Sequence, residues 1–156
     1  MLEVFGFTRE PFLDGIGPAE VFEWRDFREG LKRLQYGLKC RGVVGVVGKS
    51  GSGKTTLLRC FSEQLPAGLY KTLALQYASG TCLDLLLHVG RQLGVEPSNV
   101  RGRMVQKIQA ECAQLASRRI HPLLVVDEAQ HLRNDVLEGL RLLTTYAMDA
   151  ERRLCL

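Results

Sequence analysis

The chain has 156 residues, a net charge of +4, 46% hydrophobic residues and 24% charged residues. This is about one domain of ordinary globular composition, which excludes a disordered chain. No apolar run approaches the roughly 20 residues of a membrane span, and the opening MLEVFGFTREPF lacks the long apolar core of a secretory leader. A cytoplasmic chain without membrane insertion is therefore expected.

The basic excess is compatible with a nucleic-acid partner without requiring one. The five cysteines, Cys40, Cys60, Cys82, Cys112 and Cys155, form no C-x-x-C pair and match no zinc spacing. They are expected to be reduced thiols, most of them packed as small hydrophobes.

In chain order, FREGLKRLQYGL (27–38) places Phe27, Leu31, Leu34 and Leu38 on one helical face. Residues 1–40 are expected to be a lead-in containing this one helix, and 41–156 the core. VVGVV (43–47) is β-branched and bounded by glycines, as a fully buried strand would be. Residues 54–65 predict a helix with Leu57, Leu58, Phe61 and Leu65 on one face, stopped by Pro66 and Gly68.

YKTLALQY (70–77) predicts a strand with Leu73 and Leu75 facing one side. Thr81 is placed to cap a helix running to Leu93, with Gly94 as its C-terminal stop. A helix over 100–118 carries the stripe Val105, Ile108, Cys112 and Leu115. Residues 123–126 predict a second buried strand. Asn134 or Asp135 then caps a helix to about Ala147, with Leu137, Leu140 and Leu143 inward. RRLCL (152–156) reads as the start of a further strand. Strands alternating with helices predict a layered α/β domain with a parallel sheet.

Two motifs carry chemistry. GKSGSGKT, from Gly48 through Lys49, Ser50, Gly51, Ser52, Gly53 and Lys54 to Thr55, fits G-x-x-x-x-G-K-[ST], with Thr56 following. Glycines let the backbone turn its N–H groups inward, and the helix N-terminus behind them adds to a concave anion site. Lys54 would set a point charge on the β- and γ-phosphates of a nucleotide, and the Thr55 hydroxyl could bind Mg²⁺. A strand before the loop and a helix after it set this apart from a glycine turn that binds nothing.

The second motif is LLVVDE, a buried strand ending on Asp127 and Glu128. A carboxylate at the end of a neighbouring strand organises Mg²⁺ and its water in phosphate-loop enzymes. Asp127 has that position, and Glu128 could orient or deprotonate an attacking water. Taken alone, the pair would be an acidic start to a loop. The second acid favours ATP hydrolysis, and the guanine-reading N-K-x-D tetrapeptide does not occur.

With both motifs in hand, the chain resembles the AAA+ ATPases of the ExeA type, a group similar to transposition-helper ATPases. FGFTREPF (5–12), GKSGSGKTT and LLVVDEAQHL with VLEGLRLLTTYAMD (123–149) carry the resemblance. It implies a P-loop NTPase fold of three layers, α/β/α, around a parallel sheet. It also implies Lys54 and Thr55 on phosphates and Mg²⁺, Asp127 on Mg²⁺, Glu128 on water, and the 5–12 lead-in near the adenine or a neighbouring subunit. Thr145 stands where the family often has asparagine.

Such proteins continue past a point like RLCL into a fourth strand, a fifth strand, an arginine that reaches a neighbour's ATP, and a lid. The C-terminal strands and lid are thus expected to be missing. The fourth strand belongs between the first and third, so the strand before the loop is expected to lack partners, giving marginal stability or pairing through oligomerisation.

The function implied is ATP hydrolysis coupled to remodelling a protein–DNA assembly, in transposition with a transposase-type partner, by a homo-oligomer joined at its nucleotide interfaces. Secretion or cell-wall assembly is the competing setting, and a nucleotide-binding or regulatory module without turnover the competing class. Arg101/Arg103, Arg118/Arg119 and Arg152/Arg153 are candidate contacts to DNA phosphates.

Overall fold

Helix α1 (Arg25–Lys39) forms where the apolar spacing demands it: Phe27, Leu31, Leu34 and Leu38 recur every three or four residues and all are buried. The computed structural model describes Gly6 and residues 17–75, 80–145 and 153–156. Apart from Gly6, the 5–12 opening lies outside the described residues, as do the last part of the 70–77 segment, residues 146–149 and Arg152.

After α1 come α2 (Lys54–Glu63), β1 (Tyr70–Leu75), α3 (Cys82–Leu93), α4 (Arg101–Ser117), β2 (His121–Val126) and α5 (Asn134–Thr144). β1 and β2 pair in parallel, with Tyr70 opposite His121 and Leu75 opposite Val126. Side chains alternate across a strand, so the sheet buries both faces. Leu73, Leu75 and Leu124 pack with α3, α4 and α5 in one cluster. Leu123 packs with α1 and α2 in the other. The result is the expected α/β/α layering.

Helix α3 begins where the sequence places its cap. The Thr81 hydroxyl accepts from the Asp84 N–H at 3.3 Å, and the Thr81 N–H donates back to the Asp84 carboxylate at 2.8 Å. These two bonds form a capping box, and the bonds that the Thr81 N–H and hydroxyl donate to the Asp84 carboxylate hold its carboxyl below its ordinary pKa. Gly94 closes the helix in the left-handed conformation, φ +85°. Four cysteines are buried and Cys40 is exposed.

Three expectations need correction. Residues 43–47 are not a fully buried strand. Val43 is 58% exposed and Val47 96%, and no ladder forms along them among the described residues. Pairing reaches only their start: the Val44 N–H donates to the Leu156 carbonyl at 2.8 Å, and the Leu156 N–H to the Gly42 carbonyl at 3.2 Å. On its other side Cys155 bonds to Pro122 and Leu124 of β2. Residues 155–156 therefore sit between the phosphate-loop segment and β2, as the resemblance implies for the fourth strand.

Leu137 faces outward, 45% exposed, not inward. Val136, Leu140 and Leu143 form the buried stripe of α5, and a residue one step along is turned about 100° from it. Finally, neither Asn134 nor Asp135 caps α5. The N-cap is Arg133, with no side-chain cap bond, and its guanidinium pairs with Asp135 at 3.1 Å.

Candidate functional site

The segment that breaks from the sheet carries the candidate phosphate loop. Gly51 (φ +75°) and Gly53 (φ +83°) take left-handed conformations, which a side chain would strain. Such left-handed turns between ordinary residues aim successive N–H groups into one concavity. Gly53 is also the N-cap of α2 and offers no capping side chain. The first-turn N–H groups of α2 are thus open to an external anion, at the positive end of the helix dipole.

Lys54 folds back over the loop, its Nζ donating to the Gly48 carbonyl at 3.0 Å and the Lys49 carbonyl at 2.9 Å. An ammonium carries three donors, so one remains for a ligand. The loop is closed on itself by Ser52 N–H donating to the Lys49 carbonyl at 3.2 Å.

Thr55 links this loop to the acidic strand end. Its hydroxyl donates to the Asp127 carboxylate at 2.9 Å, across 72 residues of sequence. The sheet makes that contact possible. Asp127 follows β2 directly, and its N–H donates to the Leu75 carbonyl at 3.1 Å, continuing the β1–β2 pairing one residue past the strand. Thr55 and Asp127 thus present two hard oxygens at one point. That donor set suits Mg²⁺, which takes one or two protein oxygens and completes its shell with phosphate and water.

Glu128 sits in the left-handed region, φ +54° and ψ 36°, uncommon for a residue with a side chain. Its N–H donates to the Asp127 carboxylate at 2.9 Å. Its own carboxylate accepts from the Gln130 amide and lies 3.6 Å from His131 Nε2. A cleft of about 650 Å³ joins Gly48, Ser50 and Lys54 to Asp127, Glu128 and Gln130. One cavity therefore brings the Lys54 end of the loop beside Asp127, the partner of Thr55, and the Glu128 carboxylate.

Lys54, Thr55, Asp127 and Glu128 converge as the motifs predict. The arginine pairs do not. Arg101 and Arg103 open α4, while Arg118 and Arg119 follow its end, about 25 Å away at roughly 1.5 Å per residue. Two neighbours escaped the sequence reading. Gln130 lay in plain view, two residues past Glu128, but nothing in its spacing showed that it turns back. Trp24, whose ring lies against Gly53, is fixed by the packing of α1 and left no local signal.

Comparison with known proteins agrees with this geometry. A family model described as "AAA domain" matches residues 38–156. The chain is 33% identical over 156 residues to the General secretion pathway protein A of Aeromonas hydrophila, an alignment covering 97% of this chain. It spans 28% of that relative's length. No solved structure matches. No helix among the described residues is long and apolar enough to cross a membrane. The phosphate loop and the acidic strand end both lie within the matched residues, and the chain belongs to the AAA domain family.

Proposed function

We propose that the chain binds ATP with Mg²⁺ at the 48–56 loop and hydrolyses it, as the nucleotide-driven part of an assembly-remodelling machine. The observation that carries this reading is the 2.9 Å bond from Thr55 to Asp127. It joins the phosphate cradle to the acid at the strand end, and a P-loop hydrolase needs that juxtaposition to hold a nucleotide-bound metal.

Residues 48–53, with the first-turn N–H groups from Lys54 to Thr56, cradle the phosphates. The Lys54 ammonium neutralises charge on the β- and γ-phosphates and is already held at the loop by two carbonyls. The Thr55 hydroxyl and Asp127 carboxylate would hold Mg²⁺, which when bound supplies Lewis-acid stabilisation of developing phosphate charge. Glu128 orients a water and accepts its proton.

The relative's printed name belongs to a secretion pathway, which favours that setting over transposition for this chain. The separation of the two α4 arginine pairs also argues against a single DNA track on that helix. Self-association through the nucleotide sites remains part of the proposal.

A second reading has its own observation. Gln130 engages the Glu128 carboxylate, which favours a module that binds nucleotide and withholds turnover. Equilibrium ATP binding and phosphate release, measured side by side, separate the two. Hydrolysis that rises with protein concentration and disappears in Glu128→Gln supports the enzyme. Binding without phosphate release selects the holding module. No binding to wild type, or unchanged binding in Lys54→Ala, rejects both.

A further inference from the structure

The loop borders two clefts. The acidic cleft described above lies on the β2 side. A second, of about 810 Å³, runs from Gly51, Ser52, Gly53 and Lys54 to Trp24 and Phe27 at the start of α1. Lys54 and Gly48 line both. A ligand seated by its phosphates on the loop therefore has its reacting end toward Asp127 and Glu128, and the second cleft for the rest of it.

Trp24 furnishes that second cleft. It is the N-cap of α1 and the chain's only tryptophan. Its ring packs on buried Phe27, with centroids 5.0 Å apart and planes tilted by 47°. The ring edge lies 3.3 Å from where a Cβ on Gly53 would stand. Anchored on these two sides, the indole is nevertheless 39% exposed. A rigid, half-open aromatic surface beside an anion cradle suits a flat heteroaromatic group carried on a phosphate chain, because any base offers a π-face.

We propose that Trp24 is the base-stacking residue of this site: the base of a bound nucleoside triphosphate lies against the exposed part of its indole. The inference rests on the reading of the 48–56 loop as a triphosphate cradle. It assigns to Trp24 the contact that separates a nucleotide from a bare polyphosphate.

The test uses the full chain with Mg²⁺ and two probes, ATP and inorganic tripolyphosphate, each measured by calorimetry. The fluorescence of the single tryptophan is followed in parallel. Wild type should bind both, ATP more tightly, and only ATP should change the tryptophan emission. Trp24→Ala should weaken ATP on the order of tenfold and leave tripolyphosphate within about twofold, which also shows that the loop remains folded. Trp24→Phe, which keeps a π-face, should recover most of the ATP affinity.

Equal weakening of both probes by Trp24→Ala, or unchanged ATP affinity, overturns the assignment while leaving the phosphate reading intact. Failure of wild type to bind either probe removes the phosphate reading and this assignment with it.

Discussion

The two stretches of this chain to which the proposed nucleotide chemistry is assigned are built in opposite ways. Asp127 and Glu128 stand at the end of β2, a strand paired along its length with β1 and packed on α3, α4 and α5, where Leu86 and Val89 have no exposed surface. The 48–56 loop follows residues 43–47, whose backbone pairing among the described residues is confined to Val44 and which end on a Val47 that is almost fully exposed. Backbone opening costs little where apolar contacts are few. The lesson is that the acids sit at the end of a paired strand buried on both faces, while the loop's lead-in is held mainly by its packing on α1 and α2.

Substitutions can break or sharpen this contrast. The largest effect is expected in the β1–β2 half. Leu86→Ala should cost about 2–5 kcal/mol in denaturant unfolding. Similar loss from Val47→Ala would abolish the distinction.

Alkaline pH probes both halves at once. Burial pushes the thiols of Cys112, in the α3–α5 cluster, and Cys155, beside Gly42, up to about 11. A raised folded-state pKa means the unfolded chain loses its proton first. Stability should therefore be full below the ordinary thiol pKa of 9.0 and fall as pH rises from there through about 11. Replacing Cys112 by Ala should flatten that fall in urea midpoints recorded across the range, whereas an unchanged slope would show that the buried thiol does not set it.

Next in size is the α3 cap. Thr81→Ala should cost about 1 kcal/mol and lower the helical signal without touching ATP binding. A change in nucleotide affinity would mean the two regions are coupled through α3. The smallest effect is expected at the loop's own lead-in, where Val47→Ala should stay within about 0.5 kcal/mol.

The same contrast explains what could be read from the sequence. Helices α1, α3 and α4 and strand β2 obey local rules: apolar spacing, a Thr–x–x–Asp cap, a glycine stop. Their residues met the partners those rules imply. The convergence of Lys54, Thr55, Asp127 and Glu128 was legible because the two motifs fix residue types at fixed spacing after a strand and before a helix. Burial of residues 43–47 was not legible, because burial belongs to neighbours. VVGVV has the composition of a central strand, yet its cover depends on which segments, distant in sequence, lie beside it. Leu137 was misread for a related reason. VLEGLRLL (136–143) offers more apolar residues than one face can bury, and only the packing of α5 on α3, where Gly139 admits Cys82, selects Val136 and Leu140.

The most direct test of the central claim, that Thr55 and Asp127 together form a metal site joining the two regions, is the Mg²⁺ dependence of ATP binding in wild type and Asp127→Ala. Wild type should bind ATP about tenfold or more tightly with Mg²⁺ than with EDTA, a gain of about 1.4 kcal/mol. Asp127→Ala should bind ATP in EDTA much as wild type does and lose that gain. A full Mg²⁺ gain retained in Asp127→Ala would contradict the account.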